Sequence, residues 1–132
     1  MSVRYLVDTD WAIDHLKGKP EITRQLKARE PEGLGLSVVS LAELYEGVIY
    51  SRDPDKSERD LRVFLHSVAV LGIDMQTCRI FGKERGRLRA GGQLIGDADL
   101  LIGATALRHG LVVLTNNRRH FELIEGLQLL SQ

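Results

Sequence analysis

The chain has little of what would cross-link it or bind a soft metal: a single cysteine, Cys78, in 132 residues. One thiol forms no internal disulfide and cannot assemble a thiolate zinc site, so the fold must rest on its core, and a reducing, cytoplasmic setting is expected. Aromatic residues make up only 5%, with no trace of the stacking aromatics of an RNA-recognition sheet. No apolar run approaches the roughly 20 residues of a membrane helix, and no basic stretch followed by a long apolar run opens the chain. Neither a membrane span nor a signal peptide is expected. Net charge is absent as well, 18 basic against 18 acidic side chains. Residues 1–74 nevertheless carry 10 basic and 13 acidic groups, against 8 and 5 in residues 75–132. A polyanion would therefore be met by the C-terminal half.

What is present suits one soluble domain spanning residues 1–132, with 43% hydrophobic and 27% charged residues. A chain of this length buries roughly two-thirds of its unfolded surface. Continuous apolar runs at 4–7, 34–39, 68–73 and 111–114 read as strands, with a possible fifth at 127–130. Helical patterns lie between them, the most apolar following Gly96 and ending at Gly110. Strands without polar alternation, separated by helices, imply a three-layer α/β/α sandwich around a parallel sheet of four to five strands.

Ligands of such sheets collect beyond the carboxyl ends of the strands. Asp8 ends the first strand, Glu43 lies in the first turn after the second, and Asp99 enters the buried helix after Gly96. Thr115, Asn116 and Asn117 leave the fourth strand on the same edge. Convergent carboxylates raise one another's pKa unless a cation joins them, and a set of oxygen ligands alone selects Mg2+, with Mn2+ as substitute. Such an ion retains waters and takes up phosphate. It would polarise a phosphodiester, generate hydroxide and steady the leaving oxygen.

Plainer roles stand beside these. Ser40 and Glu43 match a capping box, and Asp10 and Asp97 read as helix caps. The four histidines show no metal-ligand spacing. Arg118 and Arg119, with His120, follow the fourth strand and are placed to hold phosphates. Arg87, on the basic helix over 79–89, belongs to a solvated face that could also meet RNA. A D-x-D phosphatase reading makes Asp8 the nucleophile and Asp10 the acid. It is weakened by Ala12, where that motif has threonine, and by the absence of a lysine after a later strand.

Four segments, YLVDTD, SVVSLAELYEG, IGDADLLIGATALRHG and VLTNNRRHF, occur in an order that resembles PIN-domain ribonucleases, specifically the VapC-like toxins of toxin–antitoxin pairs. The resemblance spans almost the whole chain. It implies a Mg2+-dependent endoribonuclease, the toxin of a type II pair, with Asp8, Glu43 and Asp99 as catalytic and metal-binding acids. Asp99, rather than Asp97, matches the family's acid ahead of the LLIGATAL helix, which leaves Thr9, Asp97, Thr115, Asn116 and Asn117 in support. Asn117 falls where many relatives have a fourth acid, which implies a less negative pocket with one firmly held ion and a second arriving with RNA. The family further implies a homodimer and a small antitoxin that covers the pocket; Trp11, Leu44, Tyr45 and Val48 are candidates for its docking groove, with core packing the alternative role for most of them. Because of Asn117, a non-catalytic RNA-binding or interaction module is the alternative.

Overall fold

In the computed structural model, which describes residues 2–132, strand β1 (Tyr5–Val7) lies at the centre of the sheet. Helices α1 (Thr9–Leu16) and α2 (Pro20–Arg29) and a 3-10 turn follow it. Next come β2 (Leu34–Ser37), α3 (Val38–Ile49) and α4 (Pro54–Leu65). The chain continues through β3 (Ala69–Leu71), α5 (Met75–Ala90), α6 (Asp97–His109), β4 (Val112–Leu114), α7 (Arg118–Phe121) and β5 (Gln128–Leu130). All strand pairings are parallel, in the order β3-β2-β1-β4-β5. The three-layer sandwich is as expected, and the fifth strand is present.

Alternation along β1 divides the core. Tyr5 and Val7 pack with Trp11, Ile22, Leu36, Leu44, Leu61 and Phe64 beneath α1 to α4. Leu6 points the other way, to Leu88, Leu100, Ile102, Val113 and Phe121 beneath α5 to α7. Each large apolar side chain so buried contributes about 1.5–3 kcal/mol, and that opposes the ordering entropy of strands only three or four residues long. Gly33 lets β1 and β2 begin in register: its φ is +98°, and a Cβ there would lie 2.2 Å from the Ser2 carbonyl oxygen.

Several helix starts differ from expectation, for one reason. β2 stops at Ser37 because that hydroxyl accepts the Val39 amide at 3.1 Å, so α3 starts before Ser40. Ser40 is therefore a fully buried residue inside the helix, and the capping box with Glu43 does not form. Likewise Asp8, not Asp10, caps α1, accepting the Thr9 amide at 2.8 Å from extended backbone. Gly96 is the N-cap of α6, which leaves Asp97 as an exposed first-turn acid paired with Arg85. In each case the residue just before the helix already has the extended backbone of a cap, and the polar residue expected to cap lies within the first turn.

The order of the strands places the functional edge. The chain moves from β1 to β2 and β3 on one side, then crosses to β4 and β5 on the other. The carboxyl ends of β1 and β4 thus flank the topological switch point, where sheets of this type open a crevice.

Candidate metal and nucleic-acid site

Asp8 and Thr115 close that crevice from below. Asp8 is buried, 3% exposed, and its Oδ2 accepts the Thr115 hydroxyl at 2.7 Å while Oδ1 accepts the Thr9 amide. Burial pushes the Asp8 carboxyl up to about 7, the negative charge of Asp10 adds to the rise, and the Thr115 and Thr9 hydrogen bonds oppose it. Asp10, half-buried, accepts the Asn116 amide on Oδ2 at 3.1 Å. Its own pKa is raised by burial, against that amide. Its Oδ1 is buried with no hydrogen-bond partner. Sequence reasoning assigned Asp10 to capping and missed this second carboxylate. The D-x-D spacing was the signal that could have found it.

Glu43 reaches the edge from α3, where its Oε1 accepts the Thr9 hydroxyl at 2.7 Å; that hydroxyl also lies 2.9 Å from Ser40 Oγ. Thr9 thus ties Glu43 to the turn that carries Asp8. Asp99, in the first turn of α6, pairs through Oδ2 with His120 Nδ1 at 2.8 Å, and the Asn117 side-chain amide lies 3.4 Å from the same nitrogen. The Asn117 backbone amide in turn donates to Thr115 Oγ1 at 2.9 Å. Asp97 stands apart, its side chain 81% exposed on Arg85.

Among the described residues no three carboxylate or imidazole groups yet stand close enough to cage a cation. Glu43 and Asp99 rest on their own donors, while Asp8 and Asp10 face each other without one positive group between them. The chemistry of the set still fits a hard cation. A buried carboxylate oxygen with no donor and a neighbouring carboxyl pushed toward neutrality are both relieved by positive charge, and the donors are oxygen.

The basic residues divide more sharply than the sequence suggests. Arg118 is engaged by Glu122 at 3.0 Å and by Ser131, and Arg87 by Glu84 at 2.8 Å, Glu125 and the Leu123 carbonyl. Arg119 is exposed and, among the described residues, makes no ion pair.

A groove of about 360 Å³ between α1, α3 and α4 adjoins the acids. Ile13, Leu16, Leu44 and Val48 line it, and Glu43 stands on its wall. Of the four docking candidates Trp11 takes the core-packing role, fully buried, and Tyr45 is 40% exposed outside the lining.

A parallel sheet with acids gathered at its switch point suits chemistry on a phosphodiester, and comparison with known proteins makes the family definite. The chain belongs to the PIN domain family, whose model matches residues 5–127. It is 32% identical over 127 residues to the tRNA(fMet)-specific endonuclease VapC of Salmonella typhimurium, covering 96% of each chain. It is 30% identical over 129 residues to Ribonuclease VapC2 of Haemophilus influenzae, again over 96% of each. Among solved structures, VapBC2 of Rickettsia felis bound to a promoter DNA fragment superposes with a TM-score of 0.92 at 25% identity, covering 98% of this chain and 99% of that one. DNA-bound VapBC of Salmonella typhimurium superposes with a TM-score of 0.91 at 31% identity, covering 98% of each chain.

Proposed function

We propose that this protein is a Mg2+-dependent endoribonuclease, the toxin of a type II toxin–antitoxin pair, in which Asp8, Asp10, Glu43 and Asp99 hold the metal and the phosphodiester is hydrolysed at that edge. The observation that carries the reading is buried Asp8 beside half-buried Asp10 at the switch point, with one buried Asp10 oxygen lacking any donor. Mg2+, or Mn2+ in its place, supplies Lewis-acid polarisation of the phosphate and a more acidic attacking water. The chain's own residues do the rest. Asp8 is held from two sides by Thr9 and Thr115, so its carboxylate cannot rotate out of the crevice. Thr9 and Ser40 steady Glu43, and the Thr115–Asn117 turn keeps the crevice floor in register. Arg119 takes the RNA backbone, and Arg118 and Arg87 can join only by giving up their carboxylate partners.

Relatives described as ribonucleases support the RNA substrate, and relatives solved as VapBC complexes support a small antitoxin. The apolar groove beside Glu43 is the seat we assign to that antitoxin: an apolar segment lying on Leu44 and Val48 would bring its flanking residues to the acids. Exposed Val70, Ile73 and Met75, at and beyond the sheet's β3 edge, are assigned to a homodimer contact.

Purified protein freed of antitoxin should cleave RNA with Mg2+ or Mn2+ and stop on addition of a chelator. Full activity in both Asp8→Asn and Asp99→Asn would sink the metal mechanism. A non-catalytic RNA-binding module would instead bind RNA without metal and fail to cleave it under any divalent ion.

A further inference from the structure

Asp8, Glu43 and Asp99 are each fixed by donors of the protein, Asp8 through both carboxylate oxygens and the other two through one. Asp8 has the Thr9 amide and Thr115 hydroxyl, Glu43 the Thr9 hydroxyl, and Asp99 the His120 imidazole. A carboxylate at the third position of a helix ordinarily turns back to the amide of its own N-cap. Asp99 holds that position in α6 and instead reaches across to α7. The link between the two helices is specific because α7 is anchored. Phe121, the next residue after His120, is fully buried, and Ile124 is buried with it, so the one-turn helix cannot rotate His120 away from Asp99. Asn117 lies one turn earlier on the same side, its amide 3.4 Å from the imidazole.

Resting on the nuclease reading above, we infer that His120 is a positioning residue for the metal: its Nδ1–H holds Asp99 Oδ2 and thereby presents Oδ1 to the cation. The imidazole itself does not ligate. Donors behind a metal-binding carboxylate orient it, and their loss typically weakens metal affinity 10- to 100-fold. An ordinary exposed ion pair, by contrast, contributes little to stability and has no influence on metal binding. His120 is half-exposed, so its replacement leaves the core untouched.

The experiment is Mn2+ titration of the full chain followed by electron paramagnetic resonance, on wild type, His120→Ala and His120→Asn. Asparagine places an amide N–H the same number of bonds from the backbone as Nδ1 and should rescue the hydrogen bond. The expected result is Mn2+ binding weakened about 10- to 100-fold in His120→Ala and within a few-fold of wild type in His120→Asn. RNA cleavage by His120→Ala should recover when Mn2+ is raised by the same factor. Unchanged Mn2+ affinity in His120→Ala overturns the inference and leaves the nuclease reading standing. Directly coordinated nitrogen in the wild-type Mn2+ spectrum also overturns it, since His120 would then be a ligand. A wild type that neither binds Mn2+ nor cleaves RNA fails at the earlier step and takes both readings down.

Discussion

Asp8→Asn should stabilise the metal-free protein at pH 8 while abolishing cleavage. Burial raises the Asp8 carboxyl from 3.8 to about 7, so the ionised form is disfavoured in the folded state by about 4 kcal/mol, at about 1.4 kcal/mol for each tenfold in acidity. The sign follows from the direction of the shift. Below about pH 4 the carboxyl is protonated folded and unfolded, and the site costs nothing; as pH rises toward 7 the unfolded chain ionises first and stability is lost, with no further loss above the folded pKa. Asparagine has no charge to bury, but its amide cannot accept from both Thr9 and Thr115, and the unmet donor takes back about 1–3 kcal/mol. The net expectation is a gain of about 1–3 kcal/mol at pH 8, or several degrees in Tm, shrinking to zero or reversing near pH 4–5. Thermal melts of both proteins at pH 4.5 and pH 8, with chelator present, measure it directly. Mg2+ should raise the wild-type Tm at pH 8, because it binds only the folded acids, and should raise that of Asp8→Asn much less. Equal wild-type melting at the two pH values, or a variant less stable at pH 8, would refute the reasoning.

Other consequences are local. Ser37→Ala removes the hydroxyl that caps α3 and should lower stability by about 0.5–2 kcal/mol in urea melts, whereas Ser40→Ala, lying behind Thr9, should reduce cleavage more than stability. Phe121→Ala empties a fully buried site beneath α7 and should cost about 3–5 kcal/mol, read as a lower denaturation midpoint. Gly33→Ala places a Cβ 2.2 Å from a backbone carbonyl at φ +98° and should be far more damaging in thermal melts than Gly18→Ala, which has a similar φ of +80° but open space. Ile13→Glu, at an exposed position lining the groove, should abolish antitoxin binding in a pull-down of the pair while leaving RNA cleavage intact.

The fold was legible because its signals are continuous. Apolar runs without alternation mark strands buried on both faces, and that alone implies helices above and below a parallel sheet. Asp8 and Asp99 were legible for a related reason, each being an acid placed where apolar sequence leads into a buried element. The helix starts were not, because capping depends on backbone dihedrals one or two residues away from the polar residue that attracts attention. Thus Ser37 and Asp8 cap where Ser40 and Asp10 were expected, and Ser40 and Asp10 turn out to face the site. His120 was missed as a partner of Asp99 because 21 positions separate them and no spacing rule spans such a gap. The division between free Arg119 and engaged Arg118 and Arg87 likewise belongs to packing, since all three look alike in composition.

Asn117 changes meaning in this light. A missing fourth acid implies a pocket with less negative charge, yet Asp10 brings a carboxylate to the same crevice, held by the amide of Asn116, one residue before Asn117. The turn after β4 therefore acts in two directions. Its Asn116 amide fixes Asp10, and its Asn117 amide fixes Thr115, which in turn fixes Asp8. An aspartate at position 117 would bring another negative group to the turn beside Asp8 and Asp10, whose carboxyls burial already raises, and that charge would raise them further. The turn after β4 thus ties Asp8 and Asp10 to one backbone segment, and positions 10 and 117 have to be considered together.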